Sequence, residues 1–146
     1  MSSLIQRLAL KLIVPLHNLI YRLSKGRIGS EMWGVKVLLL STVGRKSGKS
    51  LTAPLGYFEH EGAYVLTASN GGAPNNPAWY HNLMAHPRVT VQVKERVIYV
   101  EATEAQEPLR SELWAKLITQ APIYAGYERR TTRKIPMLLL KETLSR

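Results

Sequence analysis

The stretch TVGRKSGKS, residues 42–50, gathers glycines, cations and hydroxyl groups that could bind an anion. A nucleotide-binding loop needs four residues between its first Gly and its Gly-Lys-Ser/Thr, whereas only three separate Gly44 from Gly48. The segment that follows, LTAPLGYF, contains Pro54 and Gly56 and lacks the helical period that such a loop requires. We therefore exclude an ATP site. A concavity of backbone N–H groups, arginine and lysine remains one interpretation, and a solvated turn between strands is the other.

Two further polar segments could contact a ligand. In TASNGGAPNNPAWYHN, residues 67–82, a predicted strand ends at SNGG and a helix begins at Asn76-Pro77. Paired glycines allow a close approach to the backbone and a helix N-terminus favours anions, although an ordinary connection has the same composition. In APIYAGYERRT, residues 121–131, Tyr124 and Tyr127 would share one face of a helical turn. They could equally be two half-buried structural tyrosines.

The residue types that are missing exclude several chemistries. The chain has no cysteine, and all ten of its acidic residues are glutamate. Ser-His-Asp triads, thiolate metal sites and cysteine nucleophiles are therefore excluded. His60, His81 and His86 are scattered and lack such partners, so we expect no metal site. The absence of cysteine fits a reducing compartment, and we expect a cytoplasmic protein.

The net charge of +10 is concentrated in the first part of the chain. Residues 1–58 carry nine Lys/Arg and one acid, whereas residues 59–146 carry eleven Lys/Arg and nine acids. This asymmetry suggests an anionic partner, which could be nucleic acid, a membrane surface or an acidic small molecule. Aromatic residues are not interleaved with the cations as stacking platforms would be, so we expect no nucleic-acid partner.

Residues 3–23 are predicted to form an amphipathic helix that Pro15 kinks or divides. Arg7, Lys11, Asn18 and Arg22 fall on one polar stripe. The longest uncharged run, residues 12–21, is too short to span a bilayer. Two interpretations stay open: a helix packed on the core, or one in peripheral contact with the inner face of the cell membrane. We expect residues 1–30 to form this N-terminal segment and residues 31–146 to form one domain.

Alternating and apolar runs predict a β-rich body. The predicted strands cover residues 35–42, 52–59, 63–69, 88–94, 96–103 and 135–141, and the predicted helices are one capped by Asn76 and one over residues 107–120. Short strands with few helices indicate an α+β protein, a small antiparallel barrel with helices on its outside.

The three polar segments, in this order, resemble the deazaflavin-dependent nitroreductase family, the split-barrel oxidoreductases that use coenzyme F420. The resemblance covers roughly residues 18–141 and rests on the combination GRKSG, SxGGAPxxPxWYxNLxAxPxVxVQV and RxIP. It implies a split β-barrel and an enzyme that transfers a hydride from reduced F420 to a quinone, an enone or a nitro compound. The phosphodiester and oligoglutamate tail of F420 would match the cationic N-terminal half.

The resemblance also implies two sets of site residues. The catalytic residues would be Ser69, Tyr124 and Tyr127. The coenzyme-binding residues would be Arg45, Lys46, Ser47, Gly48, Leu51, Thr52, Ala53, Pro54, Leu55, Gly56, Thr67, Ala68, Ser69, Asn70, Ala78, Trp79, Tyr80, His81, Asn82 and Tyr124. In this scheme the loop that begins at Arg45 holds the phosphate, and residues 67–70 run beside the deazaflavin ring.

Three positions depart from the family pattern. Leu51 replaces a frequent arginine, Asn70 replaces a lysine, and Ala121 replaces a third tyrosine. Leu51 removes one contact to the phosphate or tail, but we still expect the coenzyme to bind. The substrate side is altered, which puts nitroaromatic reduction in question. Two alternatives therefore stay open: a split-barrel protein that binds lipid, fatty acid or a membrane surface with little reductase activity, and a split-barrel protein that uses FMN.

Overall fold

Antiparallel strands make up most of the structure, a computed structural model that describes residues 14–18, 21–22, 31–32 and 35–144. The strands are β1 (Glu31–Met32), β2 (Val35–Val43), β3 (Ser50–His60), β4 (Ala63–Thr67), β5 (Arg88–Val93), β6 (Arg96–Glu104) and β7 (Met137–Glu142). Within residues 35–144 the α-helices are α1 (Ala78–Ala85), α2 (Leu109–Gln120) and α3 (Ile123–Arg129), and a short 3₁₀ helix (Asn70–Gly72) follows β4.

Six of these strands close into a barrel. They lie in the order β2-β3-β4-β7-β6-β5, and β5 returns to pair with β2, so that Leu40 lies opposite Val91. All of these pairings are antiparallel. Closure satisfies the backbone groups that an open sheet would expose at its edges. The predicted fold class, an α+β antiparallel barrel, is confirmed.

Strand β7 shows why an uninterrupted apolar run forms a strand here. Leu138 and Leu140 contribute to the cluster inside the barrel, whereas Met137 and Leu139 contribute to a second cluster beneath α2. Side chains alternate between the two faces of a strand, so a strand buried on both faces is apolar at every position. The strand begins later than predicted because Pro136 has no N–H for the sheet.

The helices differ from the prediction in two respects. Helix α1 begins at Ala78 because Pro77 has an extended backbone with φ −67° and ψ 156°, so the predicted cap Asn76 lies outside it. The side-chain oxygen of Asn76 instead accepts a hydrogen bond from Arg133. Helix α3 was not among the predicted helices, because a seven-residue segment containing a glycine has little helical pattern to recognise.

The described part of the N-terminal segment, residues 14–18 and 21–22, is helical and packs against the barrel. Tyr21 is fully buried beside Val37, and its hydroxyl accepts a hydrogen bond of 2.7 Å from the Lys94 N–H. Arg22 donates to the Thr52 hydroxyl at 2.7 Å, so this end of the polar stripe faces β3. No helix in the described ranges is long and apolar enough to cross a membrane. The stripe residues Arg7 and Lys11 lie outside the described residues.

Candidate active site

A cavity of about 490 Å³ lies between β2, β3, the loop that joins β4 to α1, and helix α3. We call residues 68–77 the β4–α1 loop. The lining residues are Val35, Val37, Pro54, Leu55, Gly56, Thr67, Ser69, Asn70, Gly71, Pro77, Trp79, Ile123, Tyr124 and Tyr127. The lining is mainly apolar with a few hydroxyl groups, which is typical of a site for a small organic ligand.

Tyr124 projects from α3 into this cavity. Its ring meets the ring of Tyr127 edge to face, with centroids 5.4 Å apart and planes at 81°. The hydroxyl makes no hydrogen bond to another described residue. Burial raises the pKa of Tyr124 above the ordinary value of 10.0, and the neighbouring Tyr127 raises it further. The phenol is therefore protonated at neutral pH and can donate a hydrogen bond to a ligand.

Gly56 explains how the Tyr124 hydroxyl can lie against strand β3. A Cβ atom at Gly56 would be 3.0 Å from Val35 Cγ1 and 3.1 Å from the Tyr124 hydroxyl. Both distances are tighter than ordinary van der Waals contact, so any larger residue would displace the tyrosine or the valine. The missing side chain therefore preserves the hydroxyl position.

The cationic loop is the turn between β2 and β3, residues 44–49. Gly44 N–H donates to the Lys49 carbonyl at 2.8 Å, and Gly48 N–H donates to the Gly44 carbonyl at 2.9 Å. Gly48 has φ +72°, which glycine adopts without strain. The side chains of Arg45 and Lys46 are exposed and form no ion pair within the described residues. The loop therefore presents its cations to an external anion.

An open cleft of about 470 Å³ adjoins this loop at the start of α1. Its lining includes Arg45, His81 and Arg133, and the first turn of α1 carries no acidic residue. Cationic side chains and a helix N-terminus together favour an anion. The β4–α1 loop borders both this cleft and the apolar cavity. The arrangement fits an elongated ligand with an apolar ring at one end and negative charge at the other.

The structure brings some of the predicted site residues to these two spaces. The cavity is lined by Pro54, Leu55, Gly56, Thr67, Ser69, Asn70, Trp79, Tyr124 and Tyr127, and the cleft by Arg45, Ala78 and His81. Lys46, Ser47 and Gly48 lie in the exposed turn beside Arg45. Within the turn, the Ser47 hydroxyl accepts a hydrogen bond of 3.2 Å from the Lys49 N–H. The predicted coenzyme roles of these residues stay predictions.

Other predicted residues lie away from both spaces or have their polar groups occupied. Tyr80 donates a short hydrogen bond to Glu104. The pKa of Tyr80 is raised to about 12, mainly by burial and also by this hydrogen bond. The Asn82 side chain is buried and accepts a hydrogen bond of 3.0 Å from the Arg45 N–H, so it supports the cationic loop. The remaining predicted residues outside the two linings are Leu51, Thr52, Ala53 and Ala68.

Sequence reasoning missed several cavity residues. Val35, Val37 and Ile123 supply apolar lining, and Gly71 and Pro77 complete the wall formed by the β4–α1 loop. Alternation in β2 could have placed both valines on one face, but nothing local indicates that this face lies opposite α3. Ile123 could have been found from its position beside Tyr124.

A family model described as F420H(2)-dependent quinone reductase matches residues 14–142. A quinone reductase with the same description from Mycobacterium tuberculosis is 38% identical over 133 residues, which cover 88% of this chain and 89% of that protein. A solved F420-dependent reductase is 37% identical and has a TM-score of 0.65. The match covers 72% of this chain and 93% of the solved chain. A solved domain-swapped dimer is 31% identical with a TM-score of 0.69, covering 87% and 94%.

Proposed function

This chain belongs to the F420H(2)-dependent quinone reductase family, and from that premise we propose that it reduces a quinone at the cavity beside Tyr124. The chain is an F420-dependent reductase and its cofactor is coenzyme F420. Reduced F420, when bound, supplies a hydride. The observation that carries the proposal is the Tyr124 hydroxyl, which lies in an apolar cavity with no hydrogen bond to another described residue.

The residues present fit this coenzyme. Its planar ring requires an apolar space, and the cavity lined by Pro54, Leu55 and Trp79 offers one. Its phosphodiester and glutamate tail require cations, which Arg45 and Lys46 present at the adjoining cleft and turn. Arginine offers a planar pair of donors and lysine a point charge, and both suit phosphate oxygens.

Within the cavity, we assign the Tyr124 hydroxyl to the oxygen of the acceptor. A quinone that accepts a hydride gains negative charge on one oxygen and takes up one proton to become a hydroquinone. A protonated phenol can donate a hydrogen bond to that oxygen and then the proton, and the resulting phenolate takes a proton back from solvent. Tyr127 supports the Tyr124 ring from the side.

Enones and nitro compounds are further acceptors that the same hydride chemistry could serve. Ala121, at the position of a third tyrosine in the family pattern, does not line the cavity, because its side chain is buried in the cluster beneath α2. Among the described residues, the cavity lining includes two phenols, those of Tyr124 and Tyr127. We propose quinones as the preferred acceptors, since one phenol suffices to protonate one quinone oxygen.

The test is a fluorescence titration of the full chain with F420 and with FMN, followed by steady-state oxidation of reduced F420. We expect saturable binding of F420 and at least about tenfold weaker binding of FMN. Both coenzymes can place a ring in the apolar cavity, but only F420 carries the glutamate tail. A soluble quinone should be reduced faster than an enone or a nitroaromatic compound. Tighter binding of FMN, or no oxidation with any acceptor, would contradict the proposal.

Contact with a membrane surface is a second candidate function, and exposed apolar side chains favour it. Leu16 is 56% exposed, and Leu51 and Val43, on the strands that flank the cationic loop, are 48% and 40% exposed. Apolar side chains next to cations are typical of proteins that dock on anionic lipid. Such contact would bring the enzyme close to quinones dissolved in the bilayer.

We predict that the full chain co-sediments with vesicles containing phosphatidylglycerol but not with phosphatidylcholine vesicles. Each cation near an anionic surface contributes about 1 kcal/mol, so Arg7→Glu with Lys11→Glu should weaken binding at least about thirtyfold. Arg129→Glu with Lys141→Glu is the control of equal net charge. Equal loss in both double variants would indicate attraction by net charge alone, and absence of binding in the parent chain would exclude the membrane contact.

A further inference from the structure

Arg133 follows helix α3 and reaches across to the β4–α1 loop. Its Nε donates to the Ala73 carbonyl at 3.0 Å, and its Nη1 donates to the Asn76 side-chain oxygen at 2.5 Å. Its Nη2 donates to the carbonyls of Ala68 at 3.2 Å and Ser69 at 2.8 Å. One side chain therefore holds both ends of the loop.

These hydrogen bonds decide what Arg133 can do in the cleft that it lines. A guanidinium group has five N–H donors, and the structure directs four hydrogen bonds from it into the loop. Too few donors remain for the two-pronged recognition of a phosphate. Arg133 therefore stabilises the loop from within the protein, whereas the exposed side chain of Arg45 is free to bind a ligand.

The loop adopts a backbone conformation that requires stabilising contacts of this kind. Asn70, Gly71 and Gly72 have φ values of +48°, +64° and +82° in succession. Non-glycine residues adopt this conformation at a cost, and it persists only where surrounding contacts enforce it. The Asn70 side chain supplies one such contact, to the Asn75 carbonyl at 3.1 Å. That contact lies within the loop, whereas Arg133 supplies four hydrogen bonds from outside it.

The same loop also packs directly on the helix that carries the two tyrosines. A Cβ atom at Gly72 would lie 2.7 Å from the Tyr127 carbonyl oxygen and 2.9 Å from Arg130 Cβ. No side chain can be accommodated at these distances, so the Gly72 backbone abuts the last turn of α3. The loop forms one wall of the cavity and the tyrosines form another, and these contacts join the two walls.

We infer that Arg133 is a positioning residue that locks the β4–α1 loop against helix α3 and thereby sets the affinity for F420. The inference rests on the proposed function in so far as F420 lies against Ser69 and Asn70. Without the guanidinium, the loop samples other conformations and the binding-competent one becomes a fraction of the population. The apparent dissociation constant rises by the inverse of that fraction, so a tenth of competent molecules gives about tenfold weaker binding.

The test compares Arg133→Lys and Arg133→Met with the parent chain. Amide hydrogen exchange of residues 68–76 is measured without coenzyme, and F420 affinity is measured by fluorescence titration. We expect exchange of these amides and the F420 dissociation constant both to rise about tenfold or more. Saturating F420 should restore protection of the loop, because coupling between loop order and binding is reciprocal. At saturating F420, kcat should stay within about twofold of the parent value.

Arg133→Lys separates geometry from charge. Lysine keeps the positive charge but lacks the planar fork that reaches several carbonyls, so it should behave like Arg133→Met. Normal F420 affinity in Arg133→Lys would overturn the inference in favour of a simple charge effect. Weakened affinity with unchanged loop exchange would also overturn it, because it would indicate direct contact with the coenzyme. Arg129→Met is the control: it removes an exposed cation at the end of helix α3, four residues before Arg133, and should change neither quantity.

Gly72→Ala provides an independent variant should the Arg133 variants fold poorly. The added methyl meets the Tyr127 carbonyl, so the loop should detach from α3 and show the same paired rise in exchange and dissociation constant. Unchanged exchange in Gly72→Ala would contradict the locking of loop and helix. If the parent chain does not bind F420 at all, the proposed function fails, while the exchange comparison still decides whether Arg133 holds the loop.

Discussion

Replacing Tyr124 with phenylalanine is expected to lower turnover by on the order of 10²–10⁴-fold, the range for loss of a general acid. The substitution keeps the ring that packs on Tyr127 and removes only the hydroxyl that lies beside Gly56. Affinity for F420 should therefore change little. Steady-state oxidation of reduced F420 with a soluble quinone, alongside a binding titration, measures both quantities.

The pH profile gives a second readout for Tyr124. Because burial raises the pKa of this phenol above 10.0, activity that requires its proton should persist through neutral pH and fall only in alkali beyond that value. The alkaline fall should be absent from Tyr124→Phe. Tyr127→Phe is the matched control on the same helix and should have a smaller effect. Full activity in Tyr124→Phe would assign the proton to water, and a raised KM alone would leave Tyr124 with substrate positioning.

Replacing both Arg45 and Lys46 with alanine should weaken F420 binding by more than about a hundredfold. Hydrogen bonds to charged groups contribute roughly 1.5–3 kcal/mol each. The loss of two such bonds therefore exceeds the roughly 2.8 kcal/mol that corresponds to a hundredfold change in affinity. The affinity of the parent chain should also fall with added salt, because the cations are exposed. The dissociation constants come from fluorescence titrations at low and high ionic strength.

The control for the cationic loop is Arg88→Ala with Lys141→Ala, which removes two exposed cations from strands that border neither the cavity nor the cleft. It lowers the net charge by the same two units as the Arg45 and Lys46 variant. The comparison therefore separates direct contact with F420 from attraction by net charge. We expect less than about a threefold change, since exposed charges and exposed ion pairs such as that of Arg88 with Glu101 contribute little. Unchanged affinity in the Arg45 and Lys46 variant would mean that this stretch is only a turn between strands.

Local pattern was sufficient for most of the elements. The hairpin of β5 and β6 around Lys94-Glu95 is confirmed, since alternation on both sides of a turn predicts two paired strands. The predicted helix over residues 107–120 is confirmed from Leu109 onward, with Leu113, Trp114 and Leu117 on its buried face. These elements are determined by side-chain periods within single segments, which a sequence displays directly.

The N-terminal segment shows where local pattern was insufficient. Its polar stripe is compatible with lipid headgroups or with a protein surface, because both offer partners to polar side chains. The structure directs Asn18 to the Thr52 carbonyl at 3.2 Å and Arg22 to the Thr52 hydroxyl, and buries Tyr21 against β2. For Asn18 and Arg22, the position of β3 across the barrel decides in favour of the protein surface.

By itself, the sequence determined the strand-rich body, the cationic loop and the two tyrosines, because residue types and short spacings specify strands, turns and side-chain chemistry. Tertiary structure alone decided that β5 closes on β2, that Gly56 makes room for the Tyr124 hydroxyl, and that Arg133 braces the β4–α1 loop. These contacts join residues that are tens of positions apart, and their geometry depends on how the whole barrel closes. Periodicity reports which face of one element is buried, but not which distant element covers it.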